Sequence, residues 1–600
     1  MPELKDGGAV RIRRLRESDG EKLYELFRHI SRPSRVFFAP YEFTRAQAEA
    51  VAAKARATSF YCVVAERTSL LGYAWFDGEG EYPAVGIAVA DECRSLGVGP
   101  LLLRALIEEA ARRGHKGLFL TVIENNLRAL RLYSRLGFRL CGECAMPAQL
   151  CMRLRFDEQR PAFPRRGTYA HSIPWHLGKM TTDTWTLDDW KWYLKLLQAA
   201  GCNLLKIYIW PNQFHLPGQP ETEKNRWRYE VYREALRYAR ALGMEAYVAF
   251  SNNTAPPHVW LAHPELRATE VGYRGITLCW NRGKHQIVPY QKYIIDYFAD
   301  VADGFIVWFA DPGLCVCERC RDQGRVVADS LETYATYLGS RGRLTACLWW
   351  FEVMEEGKWG FKRHPGLRVR TLRALEGAPF VIVDERERKT RAMARRAGFD
   401  VLRFAFFLDP EGGTEKCNCL PYPKFDRIGA AVEESLRAKD AGLIAYRLTP
   451  YVQFASDWLF HRKQIKPGIS AYDALVELGT VLKLDPPADF AHALLEIDGW
   501  WSARGDLGRA IRLLEPLGGA HDLALRSLEG STRILKLLAE GKDKPVDGLV
   551  TEVQETMLPM PVFQGFTLEQ LWLASRSRAF LEQRVRWWLD YIEAERGRKR

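Results

Sequence analysis

R-S-L-G-V-G-P, residues 94–100, joins an apolar run ending at Ala90 to a helical stripe of Leu102, Ala105, Leu106 and Ala110 that stops at Gly114. A strand that passes through such a loop into a helix leaves the first helical amides without partners. Gly97 and Gly99 let the backbone approach an anion closely, and the helix dipole adds favourable potential. Pro100 suits the first helical position, because it has no N–H to leave unpaired. With Arg94 alongside, a pyrophosphate fits this loop; a plain turn is the alternative reading at this point.

Downstream, Gly117–Val122 reads as a strand, followed by E-N-N-L-R-A-L-R-L-Y-S-R-L-G-F from Glu124 to Phe138. Asn126 caps a helix whose Ala129, Leu132, Tyr133 and Leu136 share one face, and Gly137 ends it. Upstream, Val10–Leu15 reads as a strand and Ser18–Phe27 as an amphipathic helix. The runs Tyr61–Glu66, Leu70–Asp77 and Val85–Ala90 form an antiparallel meander. In this order of elements, Val10 to Leu154 resembles the GNAT superfamily of N-acetyltransferases.

That resemblance implies that Val89 and the loop Arg94, Ser95, Leu96, Gly97, Val98, Gly99 and Pro100 hold the pantetheine and pyrophosphate of acetyl-CoA. It also implies that Asn126 contacts the cofactor and that Tyr133 stands near its sulfur. When an amine attacks the thioester, the departing thiolate needs a proton. A phenol with a pKa near ~10 can give one without being ionised at neutral pH. The alternative for Tyr133 is a core aromatic on an amphipathic helix. Glu79, Glu81 and Glu92 lie near the fourth strand, and none is singled out as general base.

The chain has 600 residues, 47% hydrophobic and 27% charged, which is globular composition and too long for one core. Four segments are expected: an acetyltransferase domain at 1–158, a Pro/Arg-rich linker at 159–167, a barrel at 168–467 and a helical domain at 468–600. No run approaches the ~18 apolar residues of a membrane span, and the start carries no apolar leader, so a cytoplasmic protein is expected. The net charge of +12 is spread over the chain without a nucleic-acid recognition motif. The 13 cysteines read as reduced thiols.

Beyond the linker, strand candidates alternate with helical patterns. The strands are Tyr169–Ile173, Leu204–Trp210, Glu245–Phe250, Phe305–Ala310, Leu344–Trp350, Pro379–Val383, Val401–Phe407 and Leu443–Arg447. This alternation predicts a (β/α)8 barrel of the TIM type, with an open doubly wound sheet as the alternative. Strand ends carry His171, Asn212, Ser251 to Asn253, Asp311, Glu352, Asp384, Glu385, Asp409 and Glu411, with Trp175, Trp210, Trp349, Trp350 and Tyr451 nearby. Carboxylates beside aromatic platforms suit a sugar, whose apolar face stacks while paired acids work on the glycosidic bond. Acids at strand ends also cap helices, which is the competing reading for Asp384 and Glu385.

The segment L-C-W-N at Leu278 and W-F-A-D-P-G-L-C-V-C-E-R-C from Trp308 resemble barrels related to α-glucuronidases and hexosaminidases, over Gly167 to Pro467. The resemblance implies that Asp311 is an acid catalyst and that Asp384 matches a catalytic Asp. Asp311 is followed by Pro312, so the hexosaminidase Asp-Glu pair is missing. The C-x-C-x-x-C spacing of Cys315, Cys317 and Cys320 suits a structural zinc, with a fourth ligand from Cys279, Cys417, Cys419 or a histidine. Reduced thiols or a reversible disulfide are the alternatives. From Ser470 onward the pattern is helical, with a stripe of Ala471, Leu475, Leu478 and Leu482. A helical bundle closing one side of the barrel is expected.

These observations point to an acetyl-CoA-dependent N-acetyltransferase fused to a glycoside hydrolase. The expected acceptor is a small-molecule amine or amino sugar, and the expected barrel ligand is a carbohydrate. The alternative is a barrel that binds carbohydrate or protein without catalysis.

Overall fold

The runs of alternating and apolar residues in the first quarter of the chain assemble into one seven-stranded sheet in the computed structural model. Its strands are β1 (Arg11–Arg14), β2 (Phe60–Glu66), β3 (Leu70–Asp77), β4 (Ala84–Val89), β5 (Gly117–Ile123), β6 (Arg139–Glu143) and β7 (Gln149–Arg155). They lie in the order β1-β2-β3-β4-β5-β7-β6. The structure describes residues 2–38, 40–144, 146, 148–171, 178–209, 216–217, 219–269, 276–309, 315–358, 363–406, 420–518, 522–564 and 577–598. Strands β1 to β4 are antiparallel neighbours, whereas β4 and β5 are parallel and share the single register pair Ala84↔Phe119. The helix Val98–Arg112 buries Val98, Leu102, Leu103, Leu106 and Ala110 against β2 and β3. Gly72 on β3 makes room for it, since a Cβ there would stand 3.2 Å from Leu102 Cδ1.

One cysteine expectation is corrected here. Cys144 and Cys151 form a disulfide. The β6–β7 hairpin folds the chain back on itself and leaves their Cα atoms 5.6 Å apart, inside the range a disulfide needs. A compartment argument from composition has no access to that register.

The chain divides into two compact units, residues 1–160 with 241–243, and residues 161–240 with 244–600. In the second unit eight parallel strands close into a barrel. They are β8 (Arg165–Ala170), β9 (Leu204–Tyr208), β10 (Glu245–Ser251), β11 (Gly304–Trp308), β12 (Arg343–Leu348), β13 (Val381–Asp384), β14 (Val401–Ala405) and β15 (Gly442–Arg447), and β15 returns to pair with β8. Helices lie between consecutive strands, among them Leu187–Ala200, Trp280–Phe298, Gln323–Leu338, Arg388–Arg396 and Phe425–Ala438.

The first barrel strand begins earlier than its apolar residues suggest. Arg165 to Gly167, expected as the end of a linker, are already laddered to Gly442, Leu443 and Ile444. Arg165 is tolerated there because its side chain reaches Glu245 and lies over the Phe380 ring. Alternate residues of the strands fill the lumen: Tyr169, Tyr208, Tyr247, Ile306, Cys347, Ile382, Phe404, Ile444 and Tyr446 form one buried cluster. The helix Pro450–Ile465 is buried along nearly its whole length and packs against Leu187–Ala200, Ala471–Val481 and Leu523–Glu540. Further helices continue to Arg598, within the same compact unit as the barrel. No described helix is long and apolar enough to cross a membrane.

Candidate functional site

In the first unit, β4 ends at Val89 and the chain reaches the helix Val98–Arg112 through two left-handed residues, Ser95 (φ 67°) and Gly97 (φ 104°). Gly97 occupies the N-cap, and no side chain caps this helix. The main-chain N–H groups of Ser95 through Gly99 donate to no acceptor among the described residues. Successive unpaired amides at a helix start make a concavity suited to an anion. Gly99 lies close to the next helix, where a Cβ would stand 3.2 Å from Leu132 Cδ2. The helix begins two residues before Pro100, so this proline is third rather than first. It still belongs to the turn whose N–H groups have no helical partner.

Arg94 stands beside the loop, half exposed, and pairs with Asp91 at 2.5 Å. Asp91 is itself held by the Ser34 hydroxyl at 2.9 Å. Part of the Arg94 charge is therefore spent within the turn, and the amides supply the rest of the positive potential. Past the Ala84↔Phe119 pair, β4 and β5 share no register pair, so the ends at Val89 and Ile123 leave a gap between parallel neighbours. An extended ligand chain can lie in such a gap and use the free strand edges.

Asn126 caps the helix Leu127–Arg135 as expected from its position, with Oδ1 accepting from Ala129 N at 3.2 Å. Tyr133 is buried on that helix with its ring 5.9 Å from Phe138. Burial pushes the pKa of its hydroxyl upward. The group therefore holds its proton at neutral pH. The three acids considered as bases lie at the surface: Glu81 pairs with Lys116, Glu92 pairs with His29 at 2.8 Å, and Glu79 is exposed. A buried polar pair escaped the sequence reading. The Tyr41 and Tyr73 hydroxyls meet at 2.7 Å, among the rings of Phe27, Phe38 and Phe43. The clustered aromatics from Phe37 to Phe43 were the available signal.

In the barrel, Asp311, Asn212, Trp175, Trp210, Asp409, Glu411, Cys417 and Cys419 lie outside the described residues. Asp384 continues the inward register of Ile382 and is buried. Its Oδ1 accepts from Arg386 N at 2.8 Å and Arg386 Nε at 3.0 Å. The Arg386 guanidinium lies 4.9 Å from the Trp349 ring and 4.8 Å from Trp350. Glu385 turns the other way and pairs with Arg403 at 3.6 Å, which is bound in turn to Glu434 on the helix Phe425–Ala438. Adjacent residues at a strand end point to opposite faces, so the barrel wall separates these two carboxylates.

Asp384 is not the helix cap either. Glu387 stands at the N-cap of Arg388–Arg396, and its carboxylate takes the Glu352 N–H at 2.9 Å and the Thr390 hydroxyl at 2.7 Å. Burial pushes the Glu387 carboxyl up to about 8.

Lys206 was also missed. It sits on β9 between the inward residues Leu204 and Tyr208, fully buried. Its Nζ has no hydrogen-bond partner among the described residues and stands 3.8 Å from the Tyr169 ring centre and 4.0 Å from that of Trp308. Burial pushes it down to about 7. The signal was the lysine inside L-L-K-I-Y, at an inward position of a barrel strand.

Cys315, Cys317 and Cys320 converge as their spacing suggests, and Cys279 joins them. The four Sγ atoms lie within 4.8 Å of one another, a group that can hold a metal ion.

Comparison with known proteins bears on the first unit. Residues 21–138 match the model of the acetyltransferase (GNAT) family. Among solved structures, the GNAT domain of S. lividans PAT is 19% identical, with 26% of this chain and 95% of that chain covered and a TM-score of 0.24. The PaiA N-acetyltransferase of Thermoplasma acidophilum, in complex with coenzyme A, is 15% identical over 25% of this chain and 100% of that chain, with a TM-score of 0.22. A GCN5-related N-acetyltransferase from Kribbella flavida is 24% identical over 25% and 98%, also with a TM-score of 0.22. None of these matches gives the barrel a glycoside-hydrolase identity, whereas residues 21–138 are a GNAT acetyltransferase domain.

Proposed function

We propose that the first unit transfers the acetyl group of acetyl-CoA to the nitrogen of a small-molecule amine. The observation that carries this reading is the row of unpaired amides from Ser95 to Gly99, next to the helix that carries the buried Tyr133. Acetyl-CoA brings the activated acetyl group, and the residues of this chain place it. The amides and the dipole of Val98–Arg112 hold the pyrophosphate, the β4/β5 gap takes the pantetheine arm, and Asn126 keeps its Nδ2 for the ligand while Oδ1 caps its own helix. Tyr133 holds the proton that the departing sulfur needs, and its burial keeps that proton in place until the sulfur becomes basic.

Glycoside hydrolysis in the barrel has less support. Glu385 is paired away from Asp384, and Arg386 covers the indoles of Trp349 and Trp350 on which a sugar would stack.

Tyr133→Phe in the full chain tests the acetyl-transfer reading. With any accepted amine, kcat should fall by roughly 100–10,000-fold, while acetyl-CoA affinity by calorimetry changes little, because only the hydroxyl is lost. A rate within about twofold of the parent would make Tyr133 a packing residue, since general acid catalysis contributes far more than that.

A further inference from the structure

We propose that Cys279, Cys315, Cys317 and Cys320 bind one structural zinc ion as a tetrathiolate, tying together the segments that follow two neighbouring barrel strands. The site is independent of the acetyl-transfer reading.

The argument begins with distance. Tetrahedral zinc with Zn–S bonds of ~2.3 Å sets its sulfurs about 3.8 Å apart. Cys279 Sγ lies 3.7 Å from Cys317 Sγ and 3.4 Å from Cys320 Sγ, and all four sulfurs fall within 4.8 Å. These separations are far beyond a disulfide bond of ~2.05 Å and close to the edge length of a ZnS4 tetrahedron. Three of the cysteines are buried and Cys317 is half-buried, so the thiols are shielded as in a closed structural site.

Hydrogen-bond donors converge on the sulfurs. Thr269 N donates to Cys315 Sγ at 3.3 Å, and Asn281 Nδ2 donates to Cys320 Sγ at 3.4 Å. The Arg282 guanidinium is anchored by the Glu265 and Arg267 carbonyls at 2.7 and 2.9 Å and lies within electrostatic reach of Cys279, Cys315 and Cys317. Cys279 occupies the N-cap of Trp280–Phe298, and Cys320 lies just before Gln323–Leu338, so two helix starts add positive potential. A zinc tetrathiolate carries a formal charge of −2, which this set of donors is placed to offset. Gln323 Nε2 bonds the Cys315 and Cys320 carbonyls, holding the C-x-C-x-x-C turn in shape.

Position supplies the purpose. Cys279 lies in the connection after β10, and the other three lie in the connection after β11. Strands β10 and β11 are adjacent, so the ion cross-links two neighbouring connections at the C-terminal end of the barrel, where barrels build their sites. Four sulfurs leave no open position for substrate, which makes the ion a brace rather than a catalyst.

The test uses the full chain, produced without a polyhistidine tag and purified under reducing conditions. Elemental analysis should find about one zinc per chain, retained through gel filtration. Cys279→Ser should lower zinc content at least about tenfold, whereas Cys141→Ser, outside the cluster, should keep it. Should Cys279→Ser fail to fold, alkylation of the parent protein replaces it. Mapped by mass spectrometry, the four thiols should react at least about tenfold faster after chelation than before. Less than about a tenth of an equivalent of zinc after incubation with zinc salt, stoichiometric iron in its place, or full retention by Cys279→Ser would each overturn the proposal.

Discussion

Lys206 is the residue whose environment departs furthest from its chemistry. An ammonium on β9 points into a lumen of Tyr169, Trp308 and Phe404 rings, and no hydrogen-bond acceptor among the described residues meets it. Ring faces favour the cation, but desolvation opposes it more strongly, and the group falls from 10.5 to about 7. Between those values the unfolded chain holds a proton that the folded chain lacks. Stability linked to Lys206 is thus complete above 10.5 and lost as pH falls toward about 7. Lys206→Met should raise the melting temperature of the barrel at pH 7 and flatten its rise toward pH ~9.5, with an upper limit of several kcal/mol since one pKa unit is ~1.4 kcal/mol. Equal pH profiles for parent and variant in calorimetry would show that Lys206 stays charged. Glu387 works in the opposite sense: raised from 4.5 to about 8, its contribution is present below 4.5 and fades as pH rises through about 8. Comparing variant with parent isolates the lysine, because the glutamate is common to both.

At the scale of elements, the two helices of the proposed acetyl-CoA site were largely legible in the sequence. Asn126 three residues before Ala129, and Gly97 before an apolar stripe, are local signals that need only helix geometry. The start of Val98–Arg112 was misplaced by two residues, because Pro100 marks a first turn without saying which position in it. The cap makes a separable prediction. Asn126→Asp keeps an oxygen for Ala129 N and should leave stability near the parent, while losing the Nδ2 donor and adding a charge near the phosphates; acetyl-CoA affinity should fall by about tenfold. Asn126→Ala loses both functions and should cost about 1 kcal/mol of stability as well. Calorimetric titration and thermal melts check the pair, and unchanged affinity in Asn126→Asp would confine this residue to capping. Asp384 and Glu385 show the limit of element-level reading. Asp384 ends β13 and Glu385 follows it, yet only the pleat decides that one faces the lumen while the other meets Arg403.

For the whole molecule, the division into two compact units implies that one melting temperature does not describe it. Scanning calorimetry of the full chain should resolve two transitions. Acetyl-CoA at about 100 times its Kd should stabilise the transition of the first unit by ~2.7 kcal/mol and leave the other in place. A single transition that moves as a whole would show that the units unfold together. The sequence by itself determined the order of elements, the family resemblance of the first unit and the eight-strand pattern of the second. Each rests on short-range periodicity or on a motif within a dozen or so residues, where spacing along the chain translates directly into geometry. Tertiary structure alone decided which distant residues meet. Closing the barrel placed Lys206 among aromatic rings, set Glu387 against the Glu352 amide and brought Cys279 to the other three thiols. The hairpin register joined Cys144 to Cys151. Such pairings depend on how strands and connections far apart in the chain come together, and one residue of register turns a side chain to the opposite face.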